Sequence, residues 1–263
     1  MSSHKTESES STRMGRVYLI GAGPGDPGLL TLRAKACLEA CDVVVYDRLV
    51  SPEVLALAPI SAERFYVGKE AHHHPVPQPE IEEQLVNLAL AGRVVARLKG
   101  GDPFVYGRGA EEAEVLVSHG VPFEVVPGVS SVIAAPAYAG IPLTHRLLAS
   151  GFHVVTGHEC LHSLGTPWQL LAESTQTLVI LMGIGHLAEI SEALLRYGRH
   201  PETPVALIRW GTTPRQQTLI GTLETIAQQS AEAKFQAPAV IVVGEVVRLH
   251  REIGWFTPEE AYV

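Results

Sequence analysis

The chain has 263 residues, enough for two compact α/β domains with a sizeable core. Its formal net charge of -8 excludes a general nucleic-acid binder, while leaving room for local basic clusters that hold a small anion. Three cysteines, Cys37, Cys41 and Cys160, form no disulfide framework and point to a reducing cytoplasm.

The first thirteen residues are polar, lack the apolar stretch of a secretory signal, and read as a disordered tail. Arg16–Ile20 is a short apolar run stopped by Gly21, a buried strand entering a tight loop. Leu29–Ala40 has helical apolar spacing, with Thr31 and Asp26 near its start. Asp42–Asp47 is a second strand, Phe65–Val67 a third, and Gln78–Ala91 a helix with Pro79 in its first turn and Gly92 after its end. Val94–Leu98, Ala110–His119 and Phe123–Val126 continue the alternation, which implies a mostly parallel sheet covered on both faces. After Pro127-Gly128 a small-residue helix over Val129–Ala139 opens a second, strand-rich half. Its strands are Phe152–Thr156, Thr177–Met182, Val205–Trp210, Gln217–Gly221 and Val240–Val243, with helices at His186–Tyr197 and Leu223–Gln229. The expected division is a tail over 1–14, an N-terminal α/β domain over 15–128, a C-terminal α/β domain over 129–256 and a tail over 257–263. No window reaches the roughly 20 apolar residues of a membrane helix.

Ligands of a parallel sheet bind beyond the carboxyl ends of its strands. Five polar or glycine-rich loops fall there: Gly21–Gly28, Tyr46-Asp47-Arg48, Gly68-Lys69, Lys99–Pro103 and Pro127–Ser131. Gly21 and Gly23 begin like a dinucleotide fingerprint, with Asp42 or Asp47 as the ribose acid. Asp26, however, replaces the third glycine, and Pro24 and Pro27 remove amide donors that a pyrophosphate needs. The loop reads as a ligand wall or as a structural turn. Gly100-Gly101-Asp102-Pro103 permits close backbone approach of a ligand, or forms a tight turn capped by its aspartate.

The motifs GAGPGDPGLLT (21–31), VVYDRLVS (44–51), VGK (67–69), RLKGGDPFVYGRG (97–109), VPGVSS (126–131) and GIPLTHR (140–146) occur in order. Together they closely resemble the uroporphyrinogen-III C-methyltransferases of the tetrapyrrole methylase family, from about Arg16 to about Phe256. The resemblance implies a two-domain tetrapyrrole methylase fold with a mostly parallel N-terminal sheet, a mixed C-terminal sheet and an active site in the interdomain cleft. It implies S-adenosyl-L-methionine as co-substrate, S-adenosyl-L-homocysteine as product, uroporphyrinogen III as substrate, precorrin-2 as final product and a homodimer. By the same resemblance Pro24, Gly100, Gly101, Asp102, Val105, Ser130, Ser131, Met182 and Gly211 contact the cofactor, with Ala239 as a further candidate. Asp47 is implied as proton acceptor and Lys69 as proton donor. Asp47 alternatively orients Arg48 or caps a helix, and Lys69 alternatively anchors a substrate carboxylate. Arg48, Arg108 and Arg146 are candidate anchors for the substrate's carboxylates; Arg97 and Lys99 read either as further anchors or as solvated surface charges.

No metal is expected. His72-His73-His74 reads as an exposed or substrate-facing loop, His153, His158 and His162 show no zinc spacing with cysteine, and Cys37 and Cys41 read as small buried hydrophobes. Ser130 and Ser131 lack a hydrolase elbow. The competing readings are a methylase of a later corrinoid and an NAD-dependent oxidoreductase.

Overall fold

The computed structural model describes residues 14–68, 76–157 and 168–258. Lys69, His72–His74, His158, Cys160, His162 and both chain ends (1–13 and 259–263) lie outside the described residues. The chain folds into two compact units. One comprises residues up to 22 with 30–128; the other comprises residues 23–29 with 129 onward.

The first unit is built on five strands: β1 (Arg16–Gly21), β2 (Val43–Tyr46), β3 (Glu63–Tyr66), β4 (Val94–Lys99) and β5 (Phe123–Val126). Their order is β3-β2-β4-β1-β5, and every pairing is parallel. Near-continuous valine, leucine and isoleucine runs suit strands buried on both faces. Val17, Leu19, Val43, Val45 and Val95 pack against Ile81, Leu85 and Leu116 of helices α3 (Gln78–Leu90) and α4 (Gly109–Ser118). The alternate residues Ile20, Val44, Ala96 and Leu98 pack against Ala34, Leu38 and Val54 of α1 (Leu32–Glu39) and α2 (Pro52–Leu55). The chain steps one way across the sheet from β1 to β3 and back through β4 to β5. Right-handed crossovers therefore put α1 and α2 on one face and α3 and α4 on the other. Neighbours β4 and β1 send their chains to opposite faces, which makes a switch point at their carboxyl ends.

Helix α1 begins at Leu32 rather than Leu29, because Thr31 is its cap: its hydroxyl accepts from the Ala34 amide at 3.1 Å. Pro27–Leu29 forms a separate 3-10 turn. The four-residue α2, absent from the expected elements, starts at Pro52 after the capping Ser51.

Cys37 on the inner face of α1 and Cys41 just after the helix are buried. The Cys41 thiol donates to the Leu38 carbonyl at 3.0 Å, and burial pushes its pKa from 9.0 up to about 11. The unfolded thiol thus ionises before the folded one, so this group's contribution to stability is present below pH 9 and lost as pH rises towards 11. Urea unfolding across that window is expected to show a steeper fall in stability for the native chain than for Cys41→Ala.

The second unit carries β6 (Phe152–Thr156), β7 (Thr177–Leu181), β8 (Pro204–Arg209), β9 (Gln217–Thr222) and β10 (Ala239–Val243), in the order β6-β7-β10-β8-β9. Only β6 and β7 pair in parallel; the other pairings are antiparallel, so this sheet is mixed as expected. Helix α5 (Ser131–Tyr138) lays Val132 and Ala135 on Val179, Ala206, Ile208 and Val242. Helices Leu187–Arg196 and Ile226–Glu232 cover the opposite face. The latter starts three residues after the expected Leu223. A turn intervenes, in which the Thr222 amide donates to Thr225 Oγ1 at 3.1 Å and the Thr225 amide donates to the Thr222 carbonyl. A short helix at Trp168–Glu173 was likewise not expected.

Among the described residues no helix is long and apolar enough to cross a membrane.

Candidate active site

In the first unit all five strands end along one edge, so the motif loops converge there. Three of them meet backbone to backbone. A Cβ on Gly21 would lie 2.5 Å from the Gly128 Cα and 2.6 Å from the Gly101 carbonyl; one on Gly128 would lie 2.3 Å from that same oxygen. Glycine at 21 and 128 is thus dictated by the junction of the loops after β1, β4 and β5. Gly101, whose carbonyl faces both, favours glycine through its φ of +70°. Gly100 packs against Leu49, whose Cβ would be 2.7 Å from an added Cβ.

The Asp102 carboxylate is used by the backbone. Oδ1 accepts from the Phe104 amide at 2.8 Å and Oδ2 from the Gly128 amide at 3.0 Å. It therefore shapes the loop after β4 and ties it to the loop after β5. Beyond it Phe104, Val105 and Tyr106 form an exposed apolar lip, with Tyr106 and Arg108 in left-handed conformation at φ 53° and 57°. Non-glycine residues held in that region concentrate at functional sites.

Asp47 follows β2, half-buried, and its Oδ1 accepts from the Leu49 amide at 3.0 Å. It therefore caps its own turn; Ser51, not Asp47, caps α2. Gly68 brings the end of β3 alongside, since a Cβ there would lie 2.7 Å from the Arg48 nitrogen. Lys69 is outside the described residues. Arg48 is exposed. Arg108 is exposed and forms a forked pair with Glu111, with Nε to Oε1 at 2.9 Å, so an incoming carboxylate competes with an internal one.

Arg97 and Lys99 are not surface charges. They are 4% and 3% exposed, and they point from β4 beneath α4, where Glu112 is completely buried. Arg97 Nε and Lys99 Nζ donate to the same oxygen, Glu112 Oε1, at 3.0 and 2.8 Å, and Gln78 Nε2 reaches it at 3.4 Å. One carboxylate cannot neutralise two buried cations. Burial, and then the neighbouring Arg97, hold the Lys99 pKa below its ordinary value despite the Glu112 partner.

In the second unit, β7 and β8 both run antiparallel to β10, so their carboxyl ends flank its start. Ala239 pairs with Arg209, and Val240 with Leu181. Met182, Ala239 and the Trp210-Gly211-Thr212 stretch therefore share one edge. Met182, Trp210 and Thr212 all have positive φ, at 53°, 49° and 70°. Met182 is 56% exposed. Gly211 must be glycine, because a Cβ would fall 2.5 Å from that of Ala135 in α5. Ser130 caps α5, accepting from the Val132 amide at 3.3 Å, and Ser131 opens the helix. Arg146 is exposed.

The segment Gly23–Leu29 lies on this same edge. Gly25, at φ +146°, leaves 2.5 Å between an added Cβ and the Thr213 methyl, so the residue after Pro24 sits beside the Gly211–Thr213 turn. Asp26, which stands in the sequence where a dinucleotide fingerprint has its third glycine, anchors this segment through Tyr138 and Thr212. Neither of those two, nor Glu112, was among the sequence candidates.

The family model of tetrapyrrole (corrin/porphyrin) methylases matches residues 16–227, most of the chain. The chain belongs to this family. A siroheme synthase of Pseudomonas fluorescens (strain Pf0-1) is 51% identical over 252 residues, covering 96% of this chain and 54% of that protein. A siroheme synthase of Nitrosospira multiformis is 50% identical over 245 residues, with 93% and 52% covered. This methylase thus spans about half the length of the curated relatives it matches. Among solved structures, the uroporphyrin-III C-methyltransferase of Thermus thermophilus complexed with S-adenosyl homocysteine is 47% identical. Its TM-score is 0.75, and the match covers 89% of this chain and 100% of that one. A cobalt precorrin-4 methyltransferase shares the fold at TM-score 0.79 with 28% identity, covering 88% and 95%.

Proposed function

We propose that this methylase transfers methyl groups from S-adenosyl-L-methionine to two ring carbons of uroporphyrinogen III, through precorrin-1, to give precorrin-2. The observation that carries the reading is the 47% identity to a uroporphyrin-III C-methyltransferase over that enzyme's entire length. A later corrinoid as substrate is less well supported, because the corresponding relative is only 28% identical.

The residues present suit a folded co-substrate that lies close against the backbone. Gly100, Gly101, Gly211 and Ala239 offer backbone with little or no side chain, and Pro24, Val105 and Met182 offer apolar surface. Ser130 and Ser131 offer hydroxyls. When bound, S-adenosylmethionine supplies an activated sulfonium methyl. The chain's own work is to align the macrocycle carbon, exclude water and take up the proton that the alkylated ring must lose. Asp47 is the proposed acceptor, with its Oδ1 already fixed by the Leu49 amide. Lys69 is the proposed donor. Arg48, Arg108 and Arg146 face the substrate's carboxylates in this reading, and Arg108 exchanges Glu111 for one of them. The protein is proposed to act as a homodimer in the cytoplasm.

Anaerobic incubation with uroporphyrinogen III and S-adenosylmethionine is expected to yield a dimethylated chromophore; its absence overturns the function. S-adenosylhomocysteine is expected to raise the melting temperature and NAD is not, whereas the reverse result would select an oxidoreductase.

A further inference from the structure

Four residues of the second unit close a hydrogen-bonded ring across three separate stretches of chain. The Asp26 amide donates to Thr212 Oγ1 at 3.1 Å, and the Thr212 amide donates to Gln216 Oε1 at 2.8 Å. Gln216 Nε2 donates to the Tyr138 carbonyl at 3.2 Å, and the Tyr138 hydroxyl returns to Asp26 Oδ2 at 2.5 Å. The other Asp26 oxygen accepts from the Gly28 amide at 2.7 Å.

Two members lie next to proposed donor contacts, and a third shares a helix with two more. Asp26 is two residues beyond Pro24, Thr212 directly follows Gly211, and Tyr138 ends the helix that Ser130 and Ser131 begin. The segment 23–29 contributes no residue to any hydrophobic core cluster among the described residues. Its placement therefore rests on polar contacts and on the fit of Gly25 against Thr213. Thr212 is fully buried at φ +70°, a conformation that persists only where its surroundings enforce it.

We propose that Asp26, Tyr138, Thr212 and Gln216 are positioning residues for the methyl donor, setting the separation between Pro24 and Gly211. This rests on the donor assignment above. Because the sheet core is untouched, loosening the ring frees the segment without unfolding the unit, and the effect falls on donor affinity rather than on the chemical step.

Titration calorimetry with S-adenosylhomocysteine tests the ring. Tyr138→Phe removes one hydroxyl while keeping the ring packed on Trp255 and Phe256, at centroid distances of 4.9 and 4.8 Å. Thr212→Val removes the acceptor for the Asp26 amide, and Thr212→Ser restores it. Tyr138→Phe and Thr212→Val are expected to bind S-adenosylhomocysteine roughly tenfold more weakly, with Thr212→Ser close to the native protein. The KM for S-adenosylmethionine is expected to rise by the same factor, with kcat at saturating donor nearly unchanged. In the ligand-free protein, the Asp26 and Gly28 amides are expected to exchange hydrogen faster in both weakened variants. Native affinity in Tyr138→Phe and Thr212→Val, whatever their melting temperatures or exchange rates, overturns the proposal. If the unmutated protein itself fails to bind S-adenosylhomocysteine, the donor assignment falls and the ring's proposed role falls with it.

Discussion

Replacing Glu112 with leucine is expected to destabilise the protein by about 3–5 kcal/mol, the range for stranding buried charge by removing one partner of an ion pair. Glu112 is the shared acceptor of Arg97 and Lys99, and all three side chains are nearly or wholly inaccessible to water. Without the carboxylate, two cations remain under α4. Lys99 has an escape by losing its proton, which its already lowered pKa favours; Arg97 has none. Glu112→Gln keeps an oxygen acceptor for both donors but not the charge, and is expected to fall between the native protein and Glu112→Leu. The triple change Arg97→Met, Lys99→Met, Glu112→Leu replaces the cluster with apolar groups and is expected to recover most of the loss. Urea midpoints at neutral pH decide the order. A Glu112→Leu protein as stable as the native one would refute the buried-charge account.

That cluster shows where the sequence could have been read further. Val95, Arg97 and Lys99 have the same parity along β4, so in a strand buried on both faces they share the side covered by α3 and α4. Two cations on that side demand an anion. Glu112 sits one residue before Ala113 and four before Leu116, hence on the inner face of α4, but its neighbours Glu111 and Glu114 disguise it as part of a solvated helix. Most strands were legible as apolar runs closed by a glycine, proline or polar residue, whereas β3 opens on Glu63 and Arg64, two residues before the expected Phe65. Helix starts were less so, because Thr31, Ser130 and the Thr222–Thr225 turn each shift the first helical residue by competing for backbone amides. The loop motifs at Gly21, Gly100 and Gly211 were visible as motifs, but the physical need for glycine was not. It comes from Gly128, Leu49 and Ala135, residues distant in sequence that the fold brings within 3 Å of an added Cβ. Asp26 was legible as a departure from a dinucleotide pattern and as a polar residue near a helix start, but not as an anchor, because its partners Tyr138 and Thr212 lie more than a hundred residues away.

Asp47→Asn is expected to lower kcat by roughly 10²–10⁴, the usual contribution of a positioned general base. The substitution separates two roles that the geometry superimposes. The Asp47 Oδ1 accepts from the Leu49 amide at 3.0 Å, and the amide oxygen of asparagine preserves that acceptor and hence the turn that carries Arg48 and Leu49. What asparagine lacks is the ability to hold a proton released from the macrocycle. If Asp47 is the base, Asp47→Asn and Asp47→Ala are both nearly inactive, while Asp47→Asn keeps the native melting temperature and native affinity for S-adenosylhomocysteine. If the turn is what matters, Asp47→Ala loses activity and Asp47→Asn retains it. The outcomes differ in kcat, not in binding, because the proton is lost only after the carbon–methyl bond forms. Activity in both variants would remove Asp47 from the mechanism and leave Lys69 as the remaining candidate for proton transfer.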